Sequence, residues 1–322
     1  MIRRIAKIFL VSVFFIIGIC ASAQNGTSGA YSPYSMYGVG EVSMQGTAYN
    51  RSMGGVGIAS RNKRFINITN PAAVTARDTL SFMADFGLTQ KNTLFSQGDL
   101  RSAKNTFNIY DFAMSFPIWK SSAFMVGIAP FSDVGYDFSH IEKNPEIIGN
   151  TGNITYDSYG IGSIYNVFFS AGATFWKRVS VGAEVIYYFG NIDKVTNMDY
   201  SDASYRSINS GNELTVRGVT GKFGLQYEQK LGGDVSMILG ATYKLGTNVK
   251  GYSTTYRYAN QSSVTDTLGF RVDTLQKEGI RIGDELGVGI SIKGGNKWSA
   301  EFNYTRSDWS RSNMDSTPGF AV

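Results

Sequence analysis

The chain is poor in the residues that carry most protein chemistry: one cysteine, one histidine and 6 prolines among 322 residues. The cysteine, Cys20, falls in the opening stretch MIRRIAKIFLVSVFFIIGICASAQ, which has the marks of a secretory leader. Arg3, Arg4 and Lys7 precede an apolar run at 8–19, and Ala21-Ser22-Ala23 forms a cleavage site. Ile19 is too large for lipoprotein processing at Cys20, so cleavage after Ala23 is expected and residues 1–23 read as a signal peptide. The mature chain then has no thiol, which excludes disulfides, a thiol nucleophile and a Cys-ligated metal. Beyond the leader no segment approaches 18 consecutive apolar residues, so no membrane-spanning helix is expected.

Charge of one sign is also scarce. Lys and Arg number 30 against 25 Asp and Glu, and three of those cations belong to the leader, so the net charge of +5 falls to +2 on cleavage. No basic stretch is interleaved with aromatics, and nucleic acid is not an expected partner. The single histidine, His140, lies in DFSHIEK, read as an external loop, and the adjacent Ser139 cannot form a triad with it. No strand is expected to carry a histidine, and no catalytic residue is assigned. GVGEVS at 38–43 and MGGVG at 53–57 lack the Lys-Ser/Thr that follows a phosphate loop. The acidic DYSDAS at 199–204 does not match an EF-hand spacing. The chain reads as a non-enzyme without cofactor or metal.

What it does have is 37 Gly, 21 Phe, 19 Tyr and strict alternation. In TLSFMADFGLTQ at 79–90, Leu80, Phe82, Ala84, Phe86 and Leu88 share one face, with Ser81, Met83, Asp85, Gly87 and Thr89 on the other. The same period of two recurs at 179–189, 235–245 and 286–292, which argues half-buried strands. The apolar faces carry large aromatics, while the opposite faces carry glycine and small polar residues. Many strands look longer than the 5–6 residues usual in soluble sheets. Both features fit strands with a lipid-facing band and a polar lumen. Glu184 and Glu228 fall on the inward face and are read as lumen lining rather than a catalytic pair.

Connections alternate in length. Short turns are expected near 118–123, 176–179, 230–235 and 293–298, with long polar connections at 132–153, 191–213 and 247–279. Short periplasmic turns and long external loops are the pattern of an outer-membrane barrel. Trp119, Trp176 and Trp298 lie beside the short turns, where an interfacial girdle would sit. The strands read as 79–91, 107–118, 122–131, 154–176, 179–190, 214–229, 235–247, 280–293 and 297–309. That odd count, and a tail DSTPGFAV without alternation, lead to the expectation of a truncated barrel that stops short of closure.

Residues 24–78 precede the wall at 79–322. They are rich in Gly, Ser and Tyr but contain two rigid turns, Ser32-Pro33-Tyr34 and Asn70-Pro71-Ala72, and a glycine run, Met53-Gly54-Gly55-Val56-Gly57, suited to close backbone packing. Their Tyr, Met and Ile content is too high for a disordered tail, so a compact element inside the barrel is expected. The exported start, RSMGGVGIASRN, NPAA just before the first strand, and the aromatic strands together resemble the FadL/TodX outer-membrane transporters, in their divergent Bacteroidota form.

The resemblance implies an all-β transmembrane antiparallel barrel of about fourteen strands with an N-terminal hatch. It assigns Asn70, Pro71 and Ala72 to the hatch motif, with Met53, Gly54 and Gly55 upstream. It also implies outer-membrane location, outer-membrane lipid around the barrel, and passive transport of a hydrophobic small-molecule ligand of fatty-acid or aromatic type. The alternative is a binding or assembly component using the same barrel, partnered by another outer-membrane or secretion protein.

Overall fold

The computed structural model describes residues 30–77, 81–261, 264–275, 279–295, 297–317 and 319–321. The expected signal peptide, residues 1–23, lies outside them. Strand β1 (Glu41–Val42) and helix α1 (Ala48–Ser52) belong to the N-terminal segment, which ends in a 3-10 turn, Pro71–Thr75. The wall follows as β2 (Met83–Gln97), β3 (Leu100–Trp119) and β4 (Ser122–Ile141), then the short helix α2 (Pro145–Thr151). It continues through β5 (Ile154–Phe175), β6 (Val179–Tyr200), β7 (Ser207–Gly232) and β8 (Val235–Lys244). After them come β9 (Thr247–Asn248), β10 (Lys250–Gln261), β11 (Val264–Leu275), β12 (Arg281–Ile282), β13 (Asp284–Gly294) and β14 (Trp298–Asp308).

The wall strands pair antiparallel in the order β14-β13-β8-β7-β6-β5-β4-β3-β2. Nine strands lie on that path, the number the alternation gives, and they form a half-barrel whose first and last strands each pair on one side. No helix among the described residues is long and apolar enough to cross a membrane.

Alternation sets the two faces. Val185, Val219, Phe223 and Phe302 point outward and are 52–68% exposed, as a lipid-facing band requires. Aromatic pairs staple neighbouring strands on that face, Phe116 stacking on Phe124 at 4.9 Å and Phe124 lying 5.8 Å from Phe169. The four short turns lie where the sequence places them, and Trp119 and Trp176 stand exposed beside two of them.

The expected long loops are largely strand. β4, β5, β6 and β7 run 20 to 26 residues, well past the apolar band, and β10 extends the sheet on the upper part of β7. This corrects the reading of His140: it lies in β4, opposite Tyr156 of β5, with the rings stacked at 4.7 Å. Beyond the band both faces meet water, so alternation fades and the sequence signal for strand fades with it.

At the outer end Lys194 of β6 ties both ends of the chain together. Its buried ammonium donates to the carbonyls of Met36 (2.7 Å), Gly38 (2.9 Å) and Gly319 (3.1 Å) and sits over the Phe320 ring. Desolvation pushes this amine down to about 8. Above that pH the folded chain has released a proton that the unfolded chain still holds until about its ordinary lysine value. Stability therefore rises with pH across that window, and the cost of the buried charge is complete below it.

Lys194→Met should free both segments, with protease nicking within 30–45 several-fold faster while the heat-modifiable gel mobility of the wall is kept. The stability of the wild type relative to K194M should climb between pH 8 and pH 10.

Candidate functional site

The N-terminal segment lies on the inward face of the wall, and its seat is a set of glycines. Gly172, Gly182 and Gly224 occupy one rung across β5, β6 and β7, while Gly240 and Gly289 face each other across β8 and β13. A Cβ on Gly182 or Gly224 would overlap Pro71 or Asn70, and one on Gly240 would overlap the Ile58 carbonyl. At Gly172 it would lie 2.9 Å from Val74. The Asn-Pro elbow thus presses both main chain and side chain against bare wall backbone, an approach that a side chain at these glycines would block.

Proline explains the elbow's shape and asparagine its tolerance of burial. Pro71 opens the 3-10 turn, where its missing N–H costs nothing, and Asn70 is the N-cap, its side chain accepting from Ala72 N–H at 2.9 Å. The same side chain donates to Ile58 O (2.8 Å) and reaches the wall carbonyls of Leu225 and Ala241 (both 3.4 Å). Asn70 and Ala72 are fully buried. Sequence reasoning placed these three residues correctly at a turn but did not find their partner. The signal was available: glycines recur on the inward faces of successive strands.

Met53, Gly54 and Gly55 behave differently. Met53 is the C-cap of α1, and Gly54 and Gly55 follow with φ of +77° and +85°, a left-handed helix exit that favours glycine. Gly54 has open space around it. The close packing expected of this run falls instead on Gly57, where a Cβ would crowd Asn50 and Thr69.

Polar side chains from the wall complete the seat. Gln226 donates to Ile58 O (2.9 Å) and accepts from Arg61 (2.9 Å), and Arg61 also lies 3.5 Å from Glu228. Burial pulls the Arg61 guanidinium below its ordinary range, and the Glu228 carboxylate opposes that shift. Lys293 donates to Arg61 O (3.1 Å), and Glu301 accepts from Ala59 N–H (2.9 Å). Above the seat runs an inward belt of charge. Glu184, held by Ser170, faces Lys222, which faces Lys244, and Lys244 pairs with Glu285 at 3.2 Å. Glu184 and Glu228 therefore serve different partners and do not form a carboxylate pair.

The same segment closes a split in the wall. β3 and β4 pair only between the short turn and the Phe112–Ile128 rung, above which the upper half of β4 leaves β3. β4 bulges at Pro130–Ser132, where proline offers no N–H. β1 pairs with the freed edge, Glu41 opposite Asp133 and Val42 opposite Ser132. Tyr31 spans the gap above, donating to Asp137 O (2.8 Å) with its ring 5.5 Å from that of Phe95. Arg51 lies over the Tyr110 ring at 3.9 Å.

A family model named BamG matches residues 1–319. The chain belongs to the BamG family. No curated protein matches it. Among solved structures, the CymD monoaromatic hydrocarbon channel superposes with a TM-score of 0.56 at 16% identity, over 84% of this chain and 70% of that one. The Ralstonia pickettii toluene transporter TbuX gives 0.53 at 18% identity, over 83% and 72%. At these identities the likeness shows the fold: an antiparallel outer-membrane barrel architecture of the kind the FadL/TodX resemblance implies.

Two variants test the seat. Asn70→Ala should cost about 2 kcal/mol by leaving buried carbonyls without their donor, and Asn70→Asp should cost more, since a carboxylate oxygen would then face them. Gly224→Val should leave the wall's heat-modifiable gel mobility intact while proteases reach residues 57–75.

Proposed function

We propose that the chain is a plugged outer-membrane barrel that passes small hydrophobic molecules passively, in the substrate range named for CymD and TbuX. The observation that carries this reading is an apolar column inside the wall that meets a split closed only by the plug. Phe168, Ile186, Tyr188 and Phe131 point inward and join Ile66, Ile68 and Val74 of the plug in one buried cluster that reaches Met314 and Phe320. An aqueous pore would line this space with polar groups. Here the buried polar groups gather beside the column, in the seat, in the charged belt and at contacts with the plug such as Asp133 with Ser43, Asn166 with Gln45 and Lys194 with Met36 O.

The split supplies a route. It opens above the Phe112–Ile128 rung, six residues from the short turn, which at about 2.5 Å of height per tilted residue is near the middle of the apolar band. A molecule moving along the column could leave sideways into lipid when β1 and Tyr31 withdraw. It would never cross the charged belt into water. The plug is held mainly by hydrogen bonds to rigid main chain, so its release is a discrete step, and the directional contacts restore it.

A second reading, a binding or assembly component, draws on the hairpin of β10 and β11. Among the described residues β11 pairs only with β10, and Phe270 and Val272 stand on it 61% and 52% exposed, well beyond the apolar band. An exposed sheet edge of this kind can accept another strand.

The test uses the directly opposed pair Val42 and Ser132. V42C/S132C, crosslinked by oxidation, should abolish uptake of labelled toluene by cells expressing it, and reductant should restore uptake. Mass spectrometry of the natively extracted protein should find a retained apolar compound. Unchanged uptake at full crosslinking would sink the lateral route, and an apolar-free protein held tightly by another polypeptide would move the assignment to assembly.

A further inference from the structure

The outward face changes character abruptly two residues above Val219 on β7. There Arg217 stands directly opposite Lys250 of β10, and both side chains are exposed. Register fixes their direction. Arg217 shares the outward parity of Val219, Phe223 and Leu225, whereas Leu214, Val216 and Thr220 point inward and are buried. Like charges directly opposite across a ladder repel. Among the described residues neither cation has a carboxylate within salt-bridge distance. Among the described strand residues paired around them, the carboxylates on that face are Asp193 and Glu213, which oppose each other four residues further along β7, about 13 Å away.

The surroundings set the depth. Below the pair lies the apolar band. Beside it, on the same rung, Phe189 of β6 faces Arg217, with the Tyr165 ring 6.0 Å and the Tyr187 ring 5.9 Å from it. Tyr252 follows two residues past Lys250. Tyrosines at the end of an apolar band mark the interfacial girdle of a barrel. The pair sits at the end of the wall away from the short turns, so this girdle belongs to the external leaflet. Two cations without a carboxylate partner among the described residues thus stand at the level where lipid phosphates lie.

We propose that Arg217 and Lys250 form a binding site for the phosphate of an outer-leaflet lipid. A phosphate has the oxygens to accept two parallel N–H bonds from the guanidinium and a third from the ammonium. Its charge removes the repulsion across the ladder. Tyr252 and Phe189 flank the lipid's glycosidic or glycerol part, and Val219 and Tyr187 lie below to meet its acyl chains. The proposal rests on the sheet spanning the membrane and is independent of what the barrel passes.

The full chain is inserted into phosphatidylcholine vesicles alone, with lipid A, and with dephosphorylated lipid A. For the wild type, lipid A should raise the thermal unfolding midpoint by several degrees and the dephosphorylated lipid should not. R217Q/K250Q should lose most of that rise, yet match or exceed the wild type in phosphatidylcholine alone, because the repulsion is gone. A merely structural pair would instead lower that baseline. K120Q/K230Q, which removes exposed cations near the short turns, should keep the full response. The proposal is overturned if R217Q/K250Q responds to lipid A as the wild type does, or if inorganic phosphate in plain vesicles reproduces the rise. Failure of the wild type to insert into any vesicle would overturn the membrane reading itself, whereas insertion without a phosphate response overturns this site alone.

Discussion

The contact between the Asn-Pro elbow and the glycine rung of β5, β6 and β7 is the constraint on which the rest of the interior depends. Three neighbouring strands surrender a side chain at one height, and only then can Pro71 lie against the wall and the Asn70 amide reach its carbonyls. Everything above inherits that position. Residues 57–61 lie over Gly240 and Gly289 because Ile58 O is shared by Asn70 and Gln226. β1 meets β4, and Tyr31 meets Asp137, because the segment's lower end is fixed. The geometry tolerates little compromise, since the wall side of the contact is main chain, which cannot repack as side chains do.

Inside and outside are solved by different physics. Outward residues need only be apolar and well stapled to their neighbours. Inward residues need fixed partners for their buried polar groups, and the seat supplies most of them with asparagine, glutamine and arginine placed opposite carbonyls and carboxylates, Thr69 Oγ1 being left without one among the described residues. The charged belt of Glu184, Lys222, Lys244 and Glu285 follows the same rule by alternating signs over most of its width.

Where one face was apolar and the other small or polar, the sequence was easy to read. β6, β8 and β13 stood out at the right turns, and Asn70-Pro71-Ala72 stood out as an elbow because proline limits the backbone. Where both faces meet solvent, the period of two disappears, and NIDKVTNMDY in β6 looked like a loop although it is ladder. His140 was misplaced for that reason. The seat was half legible. Its own residues announced themselves, but their glycine partners lie more than 100 positions away, and inward glycine also occurs wherever a lumen needs room. The role of Gly54 and Gly55 as a helix exit could be read only once α1 was seen to end there.

The elbow has a further implication for timing. Asn70 bonds Leu225 and Ala241, 155 and 171 residues downstream, so the elbow waits for strands that lie much later in the chain. Joining such distant positions is slow, because the intervening chain must be ordered before the contact can form. Until then the elbow has no surface to settle on, and an early collapse of residues 30–77 onto themselves would obstruct the wall. The elbow is made first and seated last.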